Sequence, residues 1–171
     1  MTKVFSCEPL THEEMTHAAW VGINRRLDSI KRNRTEKTAL GNDSLWDVDV
    51  ESAATELLVA KNLGLYWNCL AAEPHKLDGD VGNVEVRHTQ YYSGHLVVSH
   101  EEKDDSPFVL VVGKYPRYEI RGWLFGKAAK QKAFWRDRHT AKTAKKPAYF
   151  VPQEHLISFD VLQQQYHYKY K

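Results

Sequence analysis

The residues that could do chemistry in this chain are gathered in one short stretch, Asp78-Gly79-Asp80-Val81-Gly82-Asn83-Val84-Glu85-Val86-Arg87. A Gly-Asn pair between two valines is a dipeptide that closes a two-residue β-hairpin. With Gly82 and Asn83 as the loop, Val81 faces Val84, Asp80 faces Glu85, Gly79 faces Val86 and Asp78 faces Arg87. Side chains alternate along a strand, so Asp80, Glu85, Asp78 and Arg87 project from one face. The Asp80 and Glu85 Cβ atoms would then lie about 4.5 to 5.5 Å apart. Opposed like charges are destabilising unless water or a cation neutralises them. Mg²⁺ suits such a pair, because it takes oxygen donors from one or two carboxylates and completes its shell with water and phosphate; Mn²⁺ is the natural substitute. Two other readings stay open: a solvated polar turn in which Arg87 balances the acids, and a Gly82-Asn83 bulge within one strand, which would break the register.

The elements that must position this stretch follow from periodicity. Thr11-His12-Glu13-Glu14 has the form of a capping box, and Met15, Ala18, Ala19, Gly22, Ile23, Leu27 and Ile30 continue at helical spacing, so a helix is expected over 11–30. A second is expected over 50–63, with Asp47 or Asp49 near its cap, Gly64 past its end and a buried stripe of Ala53, Leu57, Ala60 and Leu63. Glu56 stands at the edge of that stripe, an unusual place for a carboxylate. From Asp78 the period changes to alternation, with strands expected over 84–91, 95–99, 108–114 and 118–125. A helix over 127–135, a strand at 148–151 and a helix over 153–164 led by Pro152 complete the series, before a tail over 165–171.

The motif as a whole resembles the PD-(D/E)XK nuclease superfamily. The likeness spans roughly 50–135: a helix bearing Glu56, then Asp80, then Glu85-Val86-Arg87 in the place of the (D/E)xK triplet, then strands and a helix. It implies a restriction-endonuclease-like α/β fold, with a central mixed sheet of about 4–5 strands flanked by helices and an extra N-terminal helix. By the same resemblance, Asp80, Glu85 and the Val86 carbonyl hold Mg²⁺, Glu56 assists through a metal-bound water, and the chain hydrolyses DNA phosphodiester bonds. Two positions depart from the family. Arg87 replaces a lysine, and as a permanent cation it can clamp a phosphate through two donors but does not serve as a base. Gly79 stands where the family has a proline.

Composition bounds the alternatives. With 171 residues, 42% hydrophobic and 27% charged, the chain is expected to fold as one domain. Its 24 basic and 22 acidic residues nearly cancel, so distribution carries more than the total. Acids concentrate at 43–56 and 78–105, bases at 25–34 and 127–146. Lys127, Lys130, Arg136, Arg138, Lys142, Lys145 and Lys146, with Trp135 among them, are the candidate nucleic-acid surface; a buried Trp135 under a solvated lysine face is the plainer reading. The Gly126 helix start could offer amides to a phosphate. Two cysteines without CxxC spacing and no secretory apolar stretch make a reducing cytoplasm the expectation, and no apolar run reaches membrane length. Two non-catalytic readings accompany the nuclease one: a nucleic-acid-binding module on the same fold, and a phage-encoded protein-interaction or inhibitor domain that the size permits.

Overall fold

The computed structural model describes residues 7–33, 45–69, 79–137 and 147–169. Helix α1 (His12–Lys31) begins at the expected box: Thr11 Oγ1 accepts from the Glu14 amide at 3.2 Å, and Glu14 Oε2 accepts from the Thr11 amide at 2.7 Å. Helix α2 (Leu45–Leu63) starts five residues earlier than its sequence pattern places it. Leu45 is buried there, so packing extends the helix beyond the apolar stripe. The buried face also turns slightly, taking in Ala54, Glu56, Leu58 and Val59, with Leu57 only half-buried.

Gly22 of α1 sets the distance between these two helices. A Cβ on it would lie 2.5 Å from Val50 Cα and 2.7 Å from the Asp49 carbonyl. Gly22→Ala should therefore force the helices apart and cost about 1–3 kcal/mol, the usual range for overpacking. A urea-denaturation midpoint checks this; an unchanged midpoint would show that the pair can part freely.

The sheets correct the sequence expectation. In place of one central sheet of 4–5 strands, the described residues form two three-stranded sheets. Strand β1 (Glu85–Thr89) runs parallel to β3 (Pro107–Lys114), which is antiparallel to β4 (Arg117–Phe125). Both edges of β3 are thus occupied. Strand β2 (Leu96–Val98) instead pairs with β6 (Ala148–Val151), and β6 with the two-residue β5 (Trp135–Arg136).

Strand β3 is buried from Pro107 to Gly113, which explains its uninterrupted apolar run. Its side chains alternate between two cores. Val109 and Val111 belong to the core shared with α1, α2 and α4 (Phe159–Lys169), while Phe108, Leu110 and Val112 belong to the core shared with Leu96, Val98, Phe134 and Val151. The mixed sheet therefore lies between the helices and the smaller sheet. α/β architecture is what the sequence led one to expect; the division into two sheets is not.

Two helices depart from their expected bounds: one is shorter, and the last is shifted, running to Lys169 through most of the expected tail over 165–171. α3 (Gly126–Ala129) gives way to a 3-10 turn at Lys132–Phe134, because Phe134 is buried in the second core and Gln131 Nε2 donates back to the Ala128 carbonyl at 2.9 Å. The last helix begins at Phe159 and not at Gln153. Gln153–His155 form a separate 3-10 turn, and Ile157 then exchanges backbone hydrogen bonds with Trp123 at 3.0 and 2.9 Å, an extended bridge that keeps that turn from running on into the helix.

Candidate functional site

The Gly82-Asn83 turn forms as the sequence implies. Val81 and Val84 exchange both backbone hydrogen bonds, at 3.0 and 2.9 Å, and are fully buried. Gly82 sits at φ +61, a left-handed value that a side chain tolerates poorly. The Tyr166 hydroxyl of α4 donates to the Asn83 side chain and pins the turn.

Beyond Val81 the expected cross-strand register is not formed. Asp80 leaves the ladder, and its Oδ2 accepts from the Val86 amide at 2.8 Å, reaching over the turn instead of running opposite Glu85. Gly79 consequently does not face Val86 but packs on the turn itself, where a Cβ would lie 2.8 Å from Asn83 C and from the Val84 carbonyl oxygen. That crowding excludes a proline before Asp80 and accounts for the glycine. Asp78 lies outside the described residues.

Asp80 and Glu85 still share a face with Arg87. The nearest carboxylate oxygens lie 3.6 and 3.3 Å from Arg87 Nη1, and the Val86 carbonyl accepts from the same nitrogen at 3.0 Å. One cationic nitrogen therefore stands at the focus of three oxygens: Asp80 Oδ2, Glu85 Oε2 and Val86 O. These are the oxygens the sequence resemblance assigns to a metal. Nη2 of Arg87 donates to Glu102, whose other oxygen accepts from the Ser99 amide at 2.6 Å. The guanidinium also lies over the Phe108 ring, 5.1 Å from its centre. Burial opposes the arginine's charge, but Glu102, Asp80 and Glu85 outweigh it and raise its pKa above the ordinary value.

Glu56 approaches from α2. Arg25 of α1 holds both its oxygens in a two-pronged pair at 2.7 Å each, and Trp67 Nε1 donates at 3.1 Å. Glu56 thus reaches Asp80 through its field, with its own oxygens clamped. Burial first, then the Glu56 and Glu85 carboxylates, push Asp80 up to about 7, against the Val86 amide and Arg87, which pull it down.

Asp80's folded pKa lies above its ordinary 3.8, so its ionisation costs the native state nothing below about pH 4, an increasing amount up to about pH 7, and a constant amount above. The side chain keeps 34% of its surface, so water screens part of that cost. Asp80→Asn should gain in stability relative to wild type as pH rises from about 4 to 7, then hold its lead. Parallel urea-midpoint curves for the two proteins would contradict this.

Among the described residues no group of three or more His, Cys, Asp or Glu side chains is arranged to hold a metal. The available set is two carboxylates and a backbone carbonyl, all hard oxygen donors of the kind Mg²⁺ accepts. No protein-family model matches the chain, and no characterised protein or solved structure matches it significantly.

The basic segment is only partly exposed for binding. Lys127, Trp135 and Arg136 are exposed, whereas Lys130 is drawn to Asp104 at 2.7 Å and to the Glu102 carbonyl. The first amides of α3 are not offered to a phosphate, since Gly126 and Lys127 donate to the Ser106 and Asp104 carbonyls at 3.0 and 2.8 Å. Arg138, Lys142, Lys145 and Lys146 lie outside the described residues. No described helix is long and apolar enough to cross a membrane.

Sequence reasoning missed Arg25, Trp67 and Glu102. For Arg25 a signal existed: a carboxylate on a buried stripe demands a cation, and bases cluster over 25–34. Glu102 sits among Glu101, Asp104 and Asp105 with nothing in the pattern to single it out.

Proposed function

We propose that this chain is a metal-dependent nuclease that hydrolyses DNA phosphodiester bonds on a restriction-endonuclease-like core, with the cation held by Asp80, Glu85 and the Val86 carbonyl. The observation that carries the reading is the convergence of those three oxygens on one cationic nitrogen, Arg87 Nη1. A bound Mg²⁺ or Mn²⁺ would supply an acidified water and neutralise charge on the phosphate.

The chain's own groups then take distinct parts. Glu85 and Asp80 set a negative focus beside a hydrophobic wall, with Asp80's carboxylate oriented by the Val86 amide. Arg87, displaced from the oxygens but still tethered to Glu102, offers its remaining donors to a phosphate oxygen as a charge-assisted clamp. Glu56, held by Arg25 and Trp67, maintains the field that keeps Asp80 avid for positive charge. Exposed Lys127 and Arg136 supply backbone attraction. With both cysteines free, a reducing cytoplasm suits the protein.

A second reading is a DNA-binding module without catalysis. Arg87 favours it, because a permanent cation in the lysine's place both fills the focus and cannot relay a proton. One assay separates the two: purified protein incubated with plasmid and with linear DNA, plus or minus Mg²⁺. The nuclease reading expects cleavage that chelator stops. Salt-sensitive retention of DNA with no cleavage in Mg²⁺ or Mn²⁺ would leave the binding module.

A further inference from the structure

We propose that Trp135, Tyr149 and His100 form a stacking platform for an unpaired nucleobase, which makes single-stranded DNA the preferred ligand. The proposal rests on the nuclease reading for what the platform serves, but its own evidence is separate. Trp135 of β5 stands directly opposite Tyr149 of β6, with ring centres 4.9 Å apart and planes at 61°. His100, from the segment after β2, lies against Tyr149 with planes at 29° and centres at 6.4 Å, and its Nδ1 is 3.3 Å from the tyrosine hydroxyl oxygen. It also meets Trp135 edge-on at 6.4 Å.

Three rings from three separate segments thus join at the edge of the smaller sheet, where half-buried Tyr149 packs on the second core and carries the two outer rings. Trp135 keeps 37% of its surface and His100 is exposed. Exposed Lys132 and Arg136, on the segment that carries Trp135, supply cations for a phosphate backbone, alongside the exposed acids Glu101 and Asp137 that follow His100 and Arg136. It also adjoins the proposed centre. Ser99, which precedes His100, donates its amide to Glu102, and Glu102 holds Arg87. A base seated on the platform therefore places its strand beside the segment that holds the phosphate clamp. A base inside a duplex is already stacked on both faces, whereas an unpaired base has a free π-face, and aromatic stacking accepts any base.

The test uses the full chain in chelator, where nothing is cut. Binding of a labelled short oligodeoxynucleotide is measured by fluorescence anisotropy as single strand, as duplex, and as the same strand with its central bases replaced by abasic sites. The expected result is tighter binding of the single strand than of the duplex, and a loss of about tenfold on abasic replacement. Trp135→Ala should lose a similar factor for the single strand and leave the duplex unchanged, with Trp135→Phe retaining most of the affinity. Equal binding of strand and duplex, or indifference to abasic replacement, overturns the platform, and the abasic probe decides even if Trp135→Ala fails to fold. Because cleavage is assayed separately with Mg²⁺, a platform without cleavage removes only the nuclease reading. Cleavage with no base dependence removes only the platform.

Discussion

Asp80→Asn is expected to abolish Mg²⁺-dependent DNA cleavage while leaving the fold intact. Asparagine keeps an oxygen to accept from the Val86 amide, so the turn loses no hydrogen bond. It removes one of the two charges that would hold the ion. Metal assistance accounts for several kcal/mol of transition-state charge stabilisation, so the expected fall in rate is about a thousandfold or more. The same variant should be more stable than wild type above pH 7, because its parent ionises Asp80 against burial and against Glu56 and Glu85. Lost activity together with gained stability is the signature of a group positioned for binding and not for folding. Rates on plasmid DNA and urea midpoints on the same preparation check both halves, and full cleavage by Asp80→Asn would end the nuclease reading.

Arg25→Ala carries the second large effect, on stability. Arg25 meets Glu56 through two hydrogen bonds at 2.7 Å with side-chain exposures of 22% and 10%, and its guanidinium lies 6.0 Å from the Trp67 ring centre. Removing it leaves the largely buried Glu56 carboxylate without its guanidinium partner, in the field of Asp80. Breaking a buried pair from one side costs about 3–5 kcal/mol, and the partial exposure of Arg25 places the expectation near the lower end. Arg25→Lys should fall between, since it restores charge without the planar fork. Mg²⁺ or Mn²⁺ should raise the variant's melting temperature, because a ligand of the native state alone stabilises it. A melting temperature equal to wild type would show that the Arg25–Glu56 pair contributes little.

How much of this was legible in the sequence varies with the range of the interactions. The α1 start is a four-residue matter and reads directly from Thr11 and Glu14. The Gly82-Asn83 turn is equally local, and the Val81–Val84 pair closes as its dipeptide requires. That Arg87 shares a face with Glu85 follows from alternation, and the side chains do meet.

What failed depends on partners distant in the chain. The full hairpin ladder gave way once Asp80 found the Val86 amide, a bond that alternation does not encode. One sheet became two because β2 pairs with β6, some fifty residues on, after β1 and β4 had taken both edges of β3. The helix expected over 127–135 stopped at Ala129 because burying Phe134 outweighed a helical pattern built on alanines. Glu56 shows both sides: its odd placement was visible, while its partners 31 residues before it and 11 after it were not.

If Asp80 Oδ2, Glu85 Oε2 and Val86 O form the proposed cation site, Arg87 must withdraw from them when the ion binds. Anomalous diffraction from a crystal soaked in Mn²⁺ tests it most directly. The expected map has a single strong peak at ligand distance from those three oxygens, with Arg87 moved aside and still bonded to Glu102. A map with no peak there and Arg87 Nη1 still among the three oxygens would contradict it.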